Sequence, residues 1–297
     1  MKPVRIILFA PGSKERVMAK ALESGADAVL LDLEDSVPLA AKAEARALVA
    51  KVIDSVAAAG GGRAGPAIFV RTNGAASGLL NDDLAAIVRP GLEAVFVPKV
   101  ESAAEVQTTA AALERLESEH GIKRGTVEIV LMIESALGVY RCFDLVNASA
   151  RVVSTCIGGA QDGDLQTDLG CSWSVEGTEL FYARSKVLLD SRAAGVAWPL
   201  DGVYGNLNDE AGLIQDSTFS ARLGYVGRTV IHPKQIAPVR QAYAVPAAQV
   251  AYYQKVVSEF EAVEKAGTAA ITVDGKLVDY AMFQRARRVL ELAKLDR

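Results

Sequence analysis

Histidine is almost missing: the 297 residues hold two, His120 and His232. That scarcity leaves no Ser–His–Asp or Cys–His relay to draw, and it removes the usual nitrogen ligands of zinc. Cysteine is nearly as sparse. Cys142, Cys156 and Cys171 lack C-x-x-C spacing, which excludes a disulfide framework and a zinc knuckle and reads as small buried thiols in a reducing compartment. No stretch approaches the ~18 apolar residues of a membrane span, and Ile6–Phe9, behind the N-terminus, is too short for a signal-peptide core. The default expectation is a soluble, cytoplasmic protein with no membrane partner. No Gly-x-Gly-x-x-Gly follows the first strand-like run and no Walker A pattern occurs, which weakens dinucleotide-binding and NTPase readings. Positive charge is in deficit as well. With 32 Lys and Arg against 36 Asp and Glu, a net charge of −4 argues against nucleic acid as a partner, while local cations stay available for an anionic ligand.

What remains is an ordinary globular composition, 51% apolar and 23% charged, in a chain long enough to bury a large core. Short apolar runs alternate with helical patterns. Strands are expected at Ile6–Phe9, Ala28–Leu33, Ile68–Val70, Ala94–Val97, Ile129–Ile133, Val152–Ile157, Pro199–Tyr204 and Thr229–Ile231. Helical segments include a basic one with Lys14, Arg16 and Lys20, then Leu39–Ala58, Leu79–Val88, Ala103–His120, Thr178–Ala194 and Glu210–Leu223, with a loop at Gly60–Pro66. Eight such units over about 240 residues favour an α/β fold of the (β/α)8 barrel type over an open sheet. From Pro246 the pattern changes to a helix (Ala247–Ala266), a hairpin turning at Asp274-Gly275, and a last helix from Tyr280. The expected organisation is a barrel over residues 1–245 and a helix–hairpin–helix extension over 246–297, acting as a lid.

In a parallel barrel the loops after the strands share one face, so polar residues at strand ends converge there. They are Ser13, Glu34, Asp35, Arg71, Asn73, Lys99, Glu134, Asp162, Asp164 and His232. Glu134 ends the run Ile129–Ile133, and a carboxylate there is either a site residue or a solvated strand end. Asp162 follows the next strand and is either a site residue or a helix cap. Arg71 either meets a substrate anion or pairs with Glu34 or Asp35. Oxygen donors without His or Cys suit Mg2+ or Mn2+, which take one or two protein carboxylates plus water and substrate oxygens. Glu134 with Asp162 fits that number. The chemistry such a site suits is carbanion or enolate chemistry beside a carbonyl.

Six stretches carry a resemblance over nearly the whole chain: LFAPGS (Leu8–Ser13), DAVLLDLEDSV (Asp27–Val37), VRTN (Val70–Asn73), VPKVES (Val97–Ser102), MIES (Met132–Ser135) and GRTVIHPKQI (Gly227–Ile236). In this order and spacing they resemble the HpcH/HpaI aldolase and citrate lyase beta-subunit (CitE-like) family, relatives of malyl-CoA and citramalyl-CoA lyases. The resemblance implies Glu134 and Asp162 as Mg2+ ligands and Arg71 as the grip on the substrate's carboxylate or keto-acid end. It implies Glu34 and Asp35 as the acidic pair beneath the metal's waters. Arg16 and Lys20 fall where relatives contact coenzyme A phosphates, and Ser13 and His232 join them as substrate contacts. Asp279 resembles an aspartate that reaches a neighbouring subunit's site, where it handles the proton on the thioester α-carbon, and it also stands where a helix N-cap would. This chain departs from the pattern at Gln161-Asp162, where relatives have Glu-Asp, and Gly163-Asp164 looks like a two-residue insertion. Asp164 is therefore the alternative ligand, with the distance from the preceding strand favouring Asp162.

The activity implied is reversible, Mg2+-dependent cleavage of a 3-hydroxy-dicarboxylic acyl-CoA to acetyl-CoA and a 2-keto acid by a homo-oligomer, a trimer or hexamer. Coenzyme A enters as part of the substrate. Thioester hydrolysis at the same metal site is the alternative enzyme reading, and a citrate lyase beta-type or CoA-ester-binding subunit the non-catalytic one.

Overall fold

The computed structural model describes residues 3–60, 65–264 and 270–296. Most of the loop expected at Gly60–Pro66 and the last residues of the helix expected to Ala266 lie outside them.

Eight parallel strands close into one barrel in chain order: β1 (Ile6–Pro11), β2 (Ala28–Asp32), β3 (Ala67–Arg71), β4 (Ala94–Val97), β5 (Glu128–Ile133), β6 (Val152–Ile157), β7 (Leu200–Asp201) and β8 (Gly227–Val230). β1 to β5 are largely apolar runs because both faces are covered, by barrel-filling side chains inside and by helices outside, whereas β6 carries Ser154 and Thr155 and β8 carries Arg228 and Thr229. Every residue of β2 and β4 is buried. The helices of this unit are α1 (Glu15–Leu22), α2 (Lys42–Ala58), α3 (Leu80–Ile87), α4 (Ala103–Glu119), α5 (Ala136–Asn147), α6 (Asp164–Leu169), α7 (Phe181–Ala193), α8 (Glu210–Leu223) and α9 (Ile236–Tyr243). No helix among the described residues is long and apolar enough to cross a membrane.

Differences from the sequence expectations are local. Pro38 and a 3-10 turn at Leu39–Ala41 delay α2 to Lys42. The eighth strand begins earlier, at Gly227, where a Cβ would stand 2.3 Å from the Arg5 carbonyl oxygen. Only glycine lets β8 meet the segment before β1 so closely. Helices α5 and α9 were not among the expected segments.

The two-residue β7 is held by a buried ion network rather than by length. Arg184 of α7 pairs with Asp201 and, at 2.7 Å, with Asp216 of α8. Arg228 of β8 pairs with Asp216 at 2.8 Å and donates from Nε and NH2 to the Gly202 carbonyl at 3.0 and 2.7 Å. All four charged groups thus have opposite-sign partners, as burial demands.

The chain divides into two compact units between Ala242 and Tyr243. The second contains α10 (Ala247–Glu264), an antiparallel hairpin of β9 (Ala270–Val273) and β10 (Lys276–Asp279), and α11 (Tyr280–Ala293). Asp274 and Gly275 both take positive φ, 49° and 75°, which matches the twist of a two-residue hairpin. Its core joins Val256, Phe260, Val273, Val278, Phe283 and Ala286, with Phe260 and Phe283 stacked at 4.7 Å.

Candidate active site

Strand register builds the first half of the site. β2 and β3 pair so that Asp32 lies beside Arg71, the last residue of each strand. The pair is bidentate, with Arg71 Nε donating to Asp32 Oδ1 at 2.7 Å and NH2 to Oδ2 at 2.8 Å. Arg71 NH1 lies 2.9 Å from Glu34 Oε2 and 3.6 Å from Asp35. Burial alone would raise the Asp32 carboxyl, but the Arg71 hydrogen bonds and charge carry it below its usual value. Two of the five guanidinium N–H groups are thereby committed to Asp32, while NH1 is held to Glu34 as an ion pair without a hydrogen bond, so that N–H groups on both terminal nitrogens stay available. The guanidinium also lies over the Phe9 ring, 5.0 Å from its centroid.

The loop after β2 is tied from behind. Lys42, almost wholly buried, donates to the Leu33 and Glu34 carbonyls at 2.6 and 2.8 Å. Asn73 Nδ2 donates to the Leu33 carbonyl at 3.0 Å and to Asp83 at 2.7 Å. These bonds fix the backbone that presents Glu34 and Asp35. Burial and the neighbouring Asp35 charge push the Glu34 carboxyl up, against Arg71 and Lys99.

Glu134 stands at the end of β5, before Ser135, which caps α5. Its side chain is buried, it makes no protein hydrogen bond, and its Oε2 has no partner. Burial, with the charges of Glu34 and Asp164 adding, pushes this carboxyl up to about 7 although Arg71 and Lys99 oppose it. Gly158, after β6, packs against it so tightly that a Cβ there would meet Glu134 Cγ at 2.5 Å. Glu134, Asp164, Asp35 and Arg71 line one cavity of about 150 Å³. A second, of about 290 Å³, is lined by Phe9, Arg71, Val203 and Ile231 among others.

Both aspartates of the loop after β6 are exposed, and of the two only Asp164 lines the cavity. Asp162 is exposed, its backbone is left-handed (φ 57°), and its N–H bonds to Gln166, outside the cavity. Asp164, the first residue of α6, lines the cavity with Glu134 and lies 3.2 Å from Lys99 Nζ.

The remaining expected residues are spread more widely. Ser13 is half-buried in the β1–α1 loop, and Arg16 and Lys20 are exposed one turn apart on α1. His232 is exposed, and its Nδ1 accepts from the Lys234 N–H at 3.1 Å, capping a short turn. Asp279, in the second unit, caps α11 by accepting from the Met282 N–H at 2.9 Å. Asp32 and Lys42, which the sequence did not mark as site residues, prove central. The pairing of β2 with β3 was the signal for Asp32, and nothing local marked Lys42.

The fit of a divalent cation can be judged from the donors. Among the described residues no group of three or more His, Cys, Asp or Glu could hold a metal. Two carboxylates facing one cavity are nonetheless the number Mg2+ commonly takes from protein. Asp32, Glu34, Asp35, Glu134 and Asp164 gather around Arg71 and Lys99, with the Lys42 ammonium behind the loop, so carboxylates still outnumber cations among these groups. A buried carboxylate oxygen with no partner and a surplus of negative charge are what a hard cation relieves. The residues fit.

Comparison with known proteins follows the same lines. Residues 5–233 match the family model described as HpcH/HpaI aldolase/citrate lyase, and residues 182–295 match one described as C-C bond lyase of the TIM-barrel fold. The chain is 34% identical to the citrate lyase subunit beta of Leuconostoc mesenteroides subsp. cremoris over 98% of this chain and 94% of that one. It is 31% identical to a (3S)-malyl-CoA thioesterase of Cereibacter sphaeroides over 98% and 95%. The CitE protein of Mycobacterium tuberculosis, solved in complex with magnesium, acetoacetate and coenzyme A, superposes with a TM-score of 0.73 at 26% identity, covering 98% of both chains. With its closed barrel, its strand-end carboxylates and a match over most of its length, the chain belongs to the HpcH/HpaI aldolase/citrate lyase family of carbon–carbon lyases.

Proposed function

We propose that this protein is a Mg2+-dependent lyase that reversibly cleaves a 3-hydroxy-dicarboxylic acyl-CoA, such as citramalyl-CoA or malyl-CoA, to acetyl-CoA and a 2-keto acid. The observation that carries the reading is the buried Glu134 carboxylate, unpartnered at Oε2, on the cavity that Asp164 and Arg71 also line. The relatives support it: one is named for citrate lyase and one for malyl-CoA, and the mycobacterial structure holds magnesium, a keto acid and coenzyme A together.

Glu134 and Asp164 hold the cation, Mg2+ or Mn2+. When bound, it supplies Lewis-acid polarisation of the keto-acid oxygens. Arg71 turns uncommitted N–H groups of its two terminal nitrogens to the substrate carboxylate, a bidentate pairing. Asp32 holds the guanidinium in plane for it. Asp35, on the cavity wall, exchanges the 3-hydroxyl proton, and Glu34 steadies Arg71 from below. The larger cavity, walled by Phe9, Val203 and Ile231, takes the thioester end. Arg16 and Lys20 meet coenzyme A phosphates, with Ser13 and His232 at the rim. In the cleavage direction the C2–C3 bond breaks, its electrons pass to the thioester α-carbon, and a proton reaches that carbon from Asp279 of a neighbouring chain.

Thioester hydrolysis is the second reading, favoured by the malyl-CoA thioesterase relative. Product analysis with Mg2+, run separately on citramalyl-CoA and malyl-CoA and repeated with chelator, separates the two. Acetyl-CoA with a keto acid, lost with chelator, supports the lyase. Free CoA without a keto acid identifies a hydrolase. Turnover of neither ester would overturn both readings.

A further inference from the structure

The proposed reaction gives no work to Lys99, although three carboxylates converge on it. Its Nζ lies 3.0 Å from Glu34 Oε1, 3.2 Å from Asp164 Oδ2 and 3.6 Å from Asp35 Oδ1. It thus ties the loop after β2 to the start of α6, across the ends of three strands. Its backbone is left-handed (φ 54°), an uncommon conformation for a residue with a Cβ. A lysine with 39% of its side chain exposed needs no such placement to reach water. This backbone carries the ammonium into a cluster of three carboxylates.

Asp164 cannot serve this ammonium and a divalent cation equally. A cation held between Glu134 and Asp164 draws on the same carboxylate that Lys99 occupies, and the two positive charges repel. Lysine is suited to yield, being a compact charge on a flexible four-carbon stem. Glu34, buried and less than a hydrogen bond's reach from both Arg71 and Lys99, remains as its anchor.

We propose that Lys99 is a tethered counter-cation that holds Asp164 in the metal-free protein and releases it, keeping Glu34, when the divalent cation binds. The inference rests on Glu134 and Asp164 being the metal ligands. Its consequence is that Lys99 weakens metal binding and keeps the acidic mouth together when the metal is gone. A lysine that only positioned Asp164 for the metal would act in the opposite sense, so the sign of one measurement decides.

The measurement is Mn2+ and Mg2+ binding by calorimetry on the full chain at constant pH and ionic strength, for wild type, Lys99→Met, Lys99→Gln and Lys99→Arg. A unit charge about 5 Å from a divalent one changes affinity on the order of tenfold even at the dielectric of water. Lys99→Met and Lys99→Gln are expected to bind both metals about tenfold more tightly, and Lys99→Arg close to wild type. Metal-free Lys99→Met should melt below wild type and gain more from saturating Mg2+, since tighter binding adds stability. Equal or weaker binding by both neutral variants, with wild type binding normally, would overturn the role of Lys99 alone. Failure of wild type to bind either metal would overturn the ligand assignment and this inference with it.

Discussion

Gly158→Ala is the sharpest probe of the cavity, because it adds one methyl group where the structure leaves no room. The added Cβ would lie 2.5 Å from Glu134 Cγ and 3.0 Å from Oε1. Relaxed contacts between carbons lie at about 3.5–4.0 Å, so the carboxylate must retreat by roughly 1 Å. Gly158 does not take a positive φ, so alanine brings no backbone strain, and the whole effect passes through Glu134. Overpacking of this kind costs about 1–3 kcal/mol of stability. A displacement of about 1 Å at a reacting centre costs on the order of 100-fold in rate. The expected outcome is folded protein with a modestly lowered melting point, Mg2+ binding weakened at least about tenfold, and lyase kcat down about 100-fold. The control is one residue away. A Cβ on Gly159 meets only Leu180 Cδ1, at 3.7 Å, an ordinary contact, so Gly159→Ala should leave metal affinity unchanged. Calorimetric Mg2+ titration and initial rates on both variants make the test. Wild-type metal affinity and turnover in Gly158→Ala would refute the argument that Glu134 and its packing on Gly158 build the site.

Three further outcomes follow from the same geometry. Burial holds the Glu134 carboxyl at about 7 in the folded protein against an ordinary 4.5, so the native state binds the extra proton between those values. In chelator, stability should therefore fall as pH rises from about 5 to 8, by about 3 kcal/mol from this group, while Mg2+ affinity rises over the same interval; urea melts and calorimetry at pH 5.5 and 8 check both signs. Asp164→Asn should weaken Mg2+ binding and turnover by at least about tenfold and Asp162→Asn should change little, the reverse order being the result that restores Asp162 as ligand. Asp216→Ala strips a shared partner from Arg184 and Arg228 and should destabilise the fold by about 3–5 kcal/mol in urea unfolding, through uncompensated buried charge.

Much of the barrel was legible because a parallel sheet buried on both faces writes its strands as apolar runs, and β2, β4 and β5 are such runs over most of their length. β7 was harder to place, since two residues leave no pattern and its stability comes from Arg184, Asp216 and Arg228, residues far from it in sequence. Helix α5 follows the strand-end Glu134 with only its cap, Ser135, between them, so no loop separates strand from helix there.

The site divides along the same line. Glu134, Arg71, Glu34 and Asp35 could be singled out because each stands where a strand ends, and the fold itself brings strand ends together. Asp32 is one residue short of the loop and faces Arg71 only through the register of β2 with β3. Asp164 reaches the cavity only because Gly163 starts a new helix there. Register and loop path are three-dimensional facts with no local code, which is why the excess of strand-end carboxylates over cations could be read but not which of them share one cavity. That excess, more than any single residue, is what asks for a divalent ion: Arg71 and Lys99 act on Glu134 through their charge, yet its buried Oε2 is left without a hydrogen-bond partner.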